Sequence, residues 1–313
     1  MARKRYTIEV PLYANSLARL VEINGAGLIG VLLYGGFPNS PLNGGRSNFA
    51  LDGLVPGGRA HDRFSEELVE RAHQRFYATV RDANLHGIAF LLAFTNMFVD
   101  LNELSERNLA VIRWLCVKGQ EHGLRNGVIL NNRLLEDHLR REFSSDLMYV
   151  SSCTRYVSPH RILGPDETVP MYLEDVRCYD SVVVTPQDSR RPEVLTSLCG
   201  KHPAEIIAIC NSYCAFTCNS YDHYEMISRD NKKPLEGYRL SDAVGMGLRI
   251  ASRSSCCPVI TGEVRNLDVS ALATMQLACG VRNFKLGRGI GAERVESVID
   301  LIEDHEKRVS LGN

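Results

Sequence analysis

No apolar run in this chain reaches the roughly 20 residues that a bilayer-spanning helix needs, and neither sign of charge dominates it. With 36 basic and 37 acidic side chains the formal net charge is -1, which removes any whole-protein attraction to nucleic acid or an anionic membrane. A local basic patch escapes that argument, so nucleic acid stays open as a partner. The opening residues, Met1-Ala-Arg-Lys-Arg-Tyr6, lead into alternating residues rather than the apolar core of a secretory signal. Also missing are a G-x-G-x-x-G turn after a first strand, an H-E-x-x-H pair and a G-x-S-x-G elbow. These gaps weigh against a doubly wound dinucleotide fold, a zinc protease of that type and an α/β-hydrolase. The expectation is a cytoplasmic protein with no membrane partner.

What the chain does have is a regular alternation of short apolar runs with longer amphipathic stretches. Strands are expected at 27–34, 87–94, 127–130, 146–151, 181–185, 205–209, 258–261 and 283–286. Helices are expected at 65–84, 104–122, 133–143, 191–198, 268–279 and 292–306, most with apolar residues three and four apart. Eight β-then-α units over residues 1–313 predict a single (β/α)8 barrel domain. The stretch 219–255, which includes Asp230-Asn-Lys-Lys-Pro-Leu-Glu-Gly, reads as an excursion between the sixth and seventh of these strands. In such a barrel the chemistry gathers at the C-terminal ends of the strands.

Ten cysteines without a secretory signal point to reduced thiols or metal ligands rather than to a disulfide framework. Cys116, Cys178 and Cys279 fall on helical segments and are expected to pack as small apolar residues. Cys210, Cys214 and Cys218 instead recur at intervals of four where an apolar run ends, and His223 follows them. Thiolates that close can converge on one soft metal or cluster. Cys256 and Cys257 stand just before the seventh expected strand, a neighbour of the sixth, and one of them is a candidate for a further ligand. His223 is a candidate ligand, a general acid or base, or an ordinary histidine at a helix start. Asn131 lies at a strand end, and Lys285 and Arg288 flank another. The two cations suit a carboxylate or phosphate unless they pair with structural acids.

Asn211-Ser-Tyr-Cys214-Ala-Phe-Thr-Cys218-Asn-Ser-Tyr-Asp-His223 resembles the N-E-x-C-x-x-x-C-P-x-x-x-x-H signature of the collagenase-like peptidase family, called U-thirty-two. Gly44-Gly-Arg46-Ser-Asn-Phe49 resembles that family's early arginine segment, and Gly280-Val-Arg-Asn-Phe-Lys285-Leu-Gly-Arg288 its closing F-K-x-x-G-R. Cys256 or Cys257 matches a cysteine that often lies between. Ser212 stands where the family has Glu, Asn219 where it has Pro, and Cys210 where an aliphatic residue is usual.

The resemblance implies a barrel holding an iron–sulfur cluster, of the 4Fe-4S kind, at its C-terminal rim. It also implies oxygen-independent hydroxylation, with prephenate implicated as oxygen donor. As ligands it implies Cys214, Cys218 and Cys257, with Cys210 fourth and Cys199 or Cys256 in reserve. His223 would move a proton. Arg46, Lys285 and Arg288, with Asn131 from its strand-end position, would surround a small anionic or aromatic substrate. Some relatives work as heterodimers, so a related barrel protein is an expected partner, with a homo-oligomer as the other form. The alternatives are zinc in place of the cluster, a metal-dependent peptidase, and a non-catalytic partner subunit.

Overall fold

In the segment Tyr6–Pro11, Tyr6, Ile8 and Val10 are buried on one side, while Thr7 and Glu9 take the other, the period of a strand. This is β1 of the computed structural model, which describes residues 4–12, 16–44, 66–159, 161–211, 220–232, 269–287 and 292–311. In chain order there follow α1 (Leu17–Gly25), β2 (Ile29–Gly35), α2 (Glu66–Leu85), β3 (Ala89–Phe94), α3 (Glu106–Glu121), β4 (Gly127–Leu130) and α4 (Arg133–Phe143). The second half contains β5 (Met148–Ser151), α5 (Pro165–Asp175), β6 (Ser181–Val183), α6 (Pro192–Cys199), β7 (Ile206–Ile209), α7 (Ser220–Asp230), α8 (Val269–Ala278), β8 (Asn283–Lys285) and α9 (Ala292–Leu311).

All eight strands are parallel and pair in sequence order, and β8 pairs back onto β1. The result is the expected (β/α)8 barrel, with one exchange in its roster. Tyr6–Pro11 is a strand that the sequence reading passes over, because Glu9 interrupts its apolar run. The strand expected at 258–261 lies outside the described residues, and β7 is hydrogen-bonded directly to β8, with Ile207 opposite Asn283 and Ile209 opposite Lys285. The ladder therefore has no position for another strand between them.

Two apolar layers hold the barrel. Inside it, Tyr34, Leu91, Ile129, Val150, Val183, Ile207 and Ile209 fill the lumen, as is usual for this architecture. On the other face of the same strands, residues such as Val10, Leu33, Phe90, Val128, Val182 and Ala208 pack against the helices. The returns from helix to strand need tight turns. Gly87 (φ 76) before β3 and Gly280 (φ 86) before β8 supply left-handed backbone there. Proline occupies the first turn of α5 and α6, where no helical N–H is lost. No helix among the described residues is long and apolar enough to cross a membrane.

Candidate active site at the barrel mouth

Strand alternation turns Glu9 of β1 and Lys285 of β8 into the lumen, directly opposite each other in the register. Their side chains form an ion pair, with Glu9 1% and Lys285 12% exposed. The Lys285 ammonium also sits 3.7 Å from the centre of the Tyr34 ring, a cation–π contact. Tyr34 in turn reaches past β1 and donates its hydroxyl to the Leu286 carbonyl at 2.6 Å. An ion pair inside a barrel lumen carries a desolvation penalty that apolar residues would avoid. Lys285 is therefore paired with an acid, and its charge is compensated within the lumen.

Next to this pair, Asn211 follows β7 and Gly287 follows β8. The Asn211 side chain donates to the Gly287 carbonyl at 3.2 Å and accepts from the Gly287 N–H, so it extends the ladder one step beyond the strands. Across the mouth, Asn131 follows β4 and donates to the Thr154 hydroxyl at 2.9 Å. Its own amide oxygen is buried and has no partner among the described residues. Thr154 belongs to a short 3-10 turn, Cys153–Tyr156, in which the Cys153 side chain packs against the lumen cluster.

A buried network behind the barrel wall holds that turn. Arg155 Nε lies 3.0 Å from Asp175 and Arg155 Nη1 3.2 Å from Glu136, while Tyr156 donates to Asp175 at 2.6 Å. Burial alone would raise the Glu136 carboxyl, but hydrogen bonds from Tyr179 and Arg140 and the Arg155 charge outweigh it and hold it below the usual carboxylate range. Tyr156 and Tyr179 are pushed upward, first by burial, and remain donors.

Helix α7 does not join the outer ring; it touches the loops after β2 and β3 and the 3-10 turn after β5, and so lies across the mouth. Asn96, after β3, donates to the Ser228 carbonyl at 2.9 Å and to the Pro41 carbonyl at 2.6 Å. The Met97 N–H meets the Ser228 hydroxyl at 3.2 Å, and Asn231 donates to the Asn43 carbonyl at 2.8 Å. Beyond the helix, Lys232 pairs with Glu103 at 3.1 Å. The first part of the expected excursion is thus a helix clamped over the barrel. His223 stands in the first half of that helix, half-buried, and burial lowers its pKa below the ordinary 6.5.

The thiols divide clearly. Cys210 follows Ile206 and Ala208 onto the helix-facing side of the sheet, not into the mouth. It is fully buried, and burial pushes its thiol up to about 12. A ligand in the mouth has to face the lumen, so this placement speaks against the expected fourth-ligand role. Cys199 of α6 is buried in the same layer, with its thiol likewise raised to about 12 by burial and by Cys279. Of the three cysteines expected to pack, Cys116 is buried and Cys279 half-buried, whereas Cys178 is exposed.

Arg46, Cys214, Cys218, Cys256, Cys257 and Arg288 lie outside the described residues. Among the described residues no group of three or more His, Cys, Asp or Glu side chains is placed to hold a metal. The structure brings together Lys285 and Cys210 at the β7–β8 seam, on opposite faces of the sheet, and sets Asn131 on the far side of the lumen. Sequence reasoning missed Glu9, Tyr34 and Asn96. Only Glu9 left a signal there, as an acid within an alternating apolar strand.

No family model matches this chain, and no curated protein matches it. Among solved structures, it is similar to that of the U32 peptidase Mk0906, with a TM-score of 0.45 and 12% identity over 92% of this chain and 94% of that one. A second similarity, to the apo structure of FabMG, an enoyl-acyl carrier protein reductase, has a TM-score of 0.19 and 11% identity over 97% and 95% of the two chains.

Proposed function

We propose that this chain is an enzyme whose active site is the C-terminal mouth of the barrel. There Cys214, Cys218 and Cys257 would hold an iron–sulfur cluster, and a small anionic or aromatic substrate is modified without molecular oxygen, most simply by hydroxylation in which an organic co-substrate supplies the oxygen atom and is itself reduced by two electrons. The observation that carries the reading is the Glu9–Lys285 pair, a charged couple kept in a lumen filled mainly by apolar side chains. Stability alone would favour hydrocarbon at both positions. The thiol segment is also flanked by mouth elements. Asn211 before it is clamped to β8, and α7 after it crosses the opening.

Cys210 does not fit the cluster, since its thiol faces the helices, and we leave it out of the ligand set. A bound cluster supplies one-electron transfer. The chain's own residues do the rest: Arg46 and Arg288 bind the anionic end, because Lys285 is already matched by Glu9. Asn131 orients a polar group across the lumen, and His223, favoured as the neutral imidazole by burial, takes up a proton. The chain works either with a related barrel protein or with a second copy of itself, which the mass of the particle in solution distinguishes.

The deciding measurement is iron and acid-labile sulfide in chain purified without oxygen, for the natural sequence and for C214A and C218A. Iron with matching sulfide, lost in both variants, is the expected result. Iron and sulfide unchanged in the variants would remove the cluster, and zinc without sulfide would turn the assignment to a metal-dependent hydrolase.

A further inference from the structure

The last backbone rung between β7 and β8 among the described residues runs from the Cys210 N–H to the Lys285 carbonyl at 3.1 Å. The next rung is made by a side chain. Asn211, 2% exposed, donates from Nδ2 to the Gly287 carbonyl at 3.2 Å and accepts the Gly287 N–H on Oδ1. A carboxamide carries the same planar donor and acceptor as a peptide group, so this one stands in for the backbone at that step. The main chain at Asn211 therefore need not continue the ladder, while its Cα stays tied to the end of β8.

The anchor is itself fixed. Leu286, one residue earlier, gives its N–H to the Glu9 carbonyl at 2.9 Å and takes the Tyr34 hydroxyl on its own carbonyl at 2.6 Å. Gly287 is also the residue that the clamp requires, since a Cβ there would come within 3.1 Å of Asn211 Oδ1.

The clamp stands three residues before Cys214 and seven before Cys218. Three residues span at most about 11 Å, so fixing the Asn211 Cα restricts where the first thiol can be, whereas seven residues reach about 25 Å and leave the second far less restricted. We infer that Asn211 is a positioning residue for the thiol segment: by taking the place of a backbone rung it fixes where the chain leaves β7, and so where Cys214 stands in the barrel mouth. The inference rests on Cys214 being a ligand at the mouth, as proposed above, and adds the residue that aims it.

The test uses the full chain purified without oxygen, as the natural sequence, N211A and N211D. N211A removes both bonds to Gly287, whereas N211D keeps an acceptor for its N–H and keeps the test open if N211A does not fold. After metal is removed with a chelator, iodoacetamide labelling of each cysteine is followed by peptide mass spectrometry. Cys214 is expected to label at least about threefold faster in both variants than in the natural chain, with a smaller rise at Cys218. Cys199 and Cys210, buried on the helix-facing side of the sheet, are expected to stay as slow as before. In chain loaded with iron and sulfide, N211D keeps its iron but changes the electron paramagnetic resonance signal, which a residue acting on stability alone would leave as it is.

Equal Cys214 rates in the natural chain and the folded variants, a rise shared alike by Cys218, Cys199 and Cys210, or an unchanged resonance signal in iron-loaded N211D would overturn the inference. A natural chain that takes up no iron removes the cluster instead, and the labelling rates then decide on Asn211 by themselves.

Discussion

The side-chain amide of Asn96 donates to the backbone carbonyl of Ser228 at 2.9 Å, joining the loop after β3 to a helix 132 residues further along the chain. Asn96 is fully buried and its amide oxygen accepts the Phe98 N–H, so both ends of the side chain are used. It acts as the pin that holds α7 over the barrel mouth.

Replacing that pin loosens the helix selectively. N96A is expected to lower stability by about 1–3 kcal/mol and to raise amide exchange in α7 more than in the strands. Hydrogen–deuterium exchange read by mass spectrometry checks this. Equal acceleration across barrel and helix would mean that Asn96 supports the whole fold instead.

His223 links the same helix to pH. Its folded pKa lies below the ordinary 6.5 because burial disfavours the charged ring. Above that value the ring is neutral in both folded and unfolded chains and contributes no pH dependence. As pH falls below it the unfolded chain binds the proton first, so stability drops, by at most about 1.4 kcal/mol per pH unit, until the folded ring also titrates. Urea midpoints of the natural chain and H223Q, compared between about pH 5 and 7.5, should diverge in this sense. Parallel curves would show that the ring is solvated.

Cys210 and Cys214 stand four residues apart and are expected to behave in opposite ways. C210A leaves iron and sulfide unchanged and costs about 1 kcal/mol from the small cavity it opens in the helix-facing layer. C214A abolishes cluster content. Loss of iron in C210A would return Cys210 to the ligand set.

Arg155 joins two buried carboxylates, Glu136 and Asp175, and its side chain is only 11% exposed. R155M leaves both acids uncompensated and is expected to cost about 3–5 kcal/mol. The acid limb reports on the same network. Glu136 is held below its ordinary 4.5, so its contribution is present above that value and is lost as pH falls through the folded pKa. Without Arg155 the loss should begin at higher pH in acid-unfolding curves. A cost under about 1 kcal/mol would mean that water enters the network and solvates the acids.

The barrel was legible because β2, β3 and β7 are short apolar runs, the length and composition of strands buried on both faces, and alternate with longer helical patterns. The same property hid the facing of Cys210. Period two puts it with Ile206 and Ala208, yet with both faces apolar nothing in the residues says which is the lumen. β1 was obscured by Glu9, whose partner is 276 residues away, and the clamp of α7 by contacts with no local trace. Cys214 and Cys218 lie outside the described residues, so the cluster ligation that their spacing suggests remains a proposal.

Tyr34 and Glu9 lie near the start of the chain, and the atoms they bond, on Leu286 and Lys285, come near its end. The seam between β8 and β1 is therefore made by the two ends of the chain, and the barrel closes only when both are present. A chain cut before residue 283 would leave β1 and β7 as unpaired sheet edges, with backbone donors and acceptors open to a neighbouring chain.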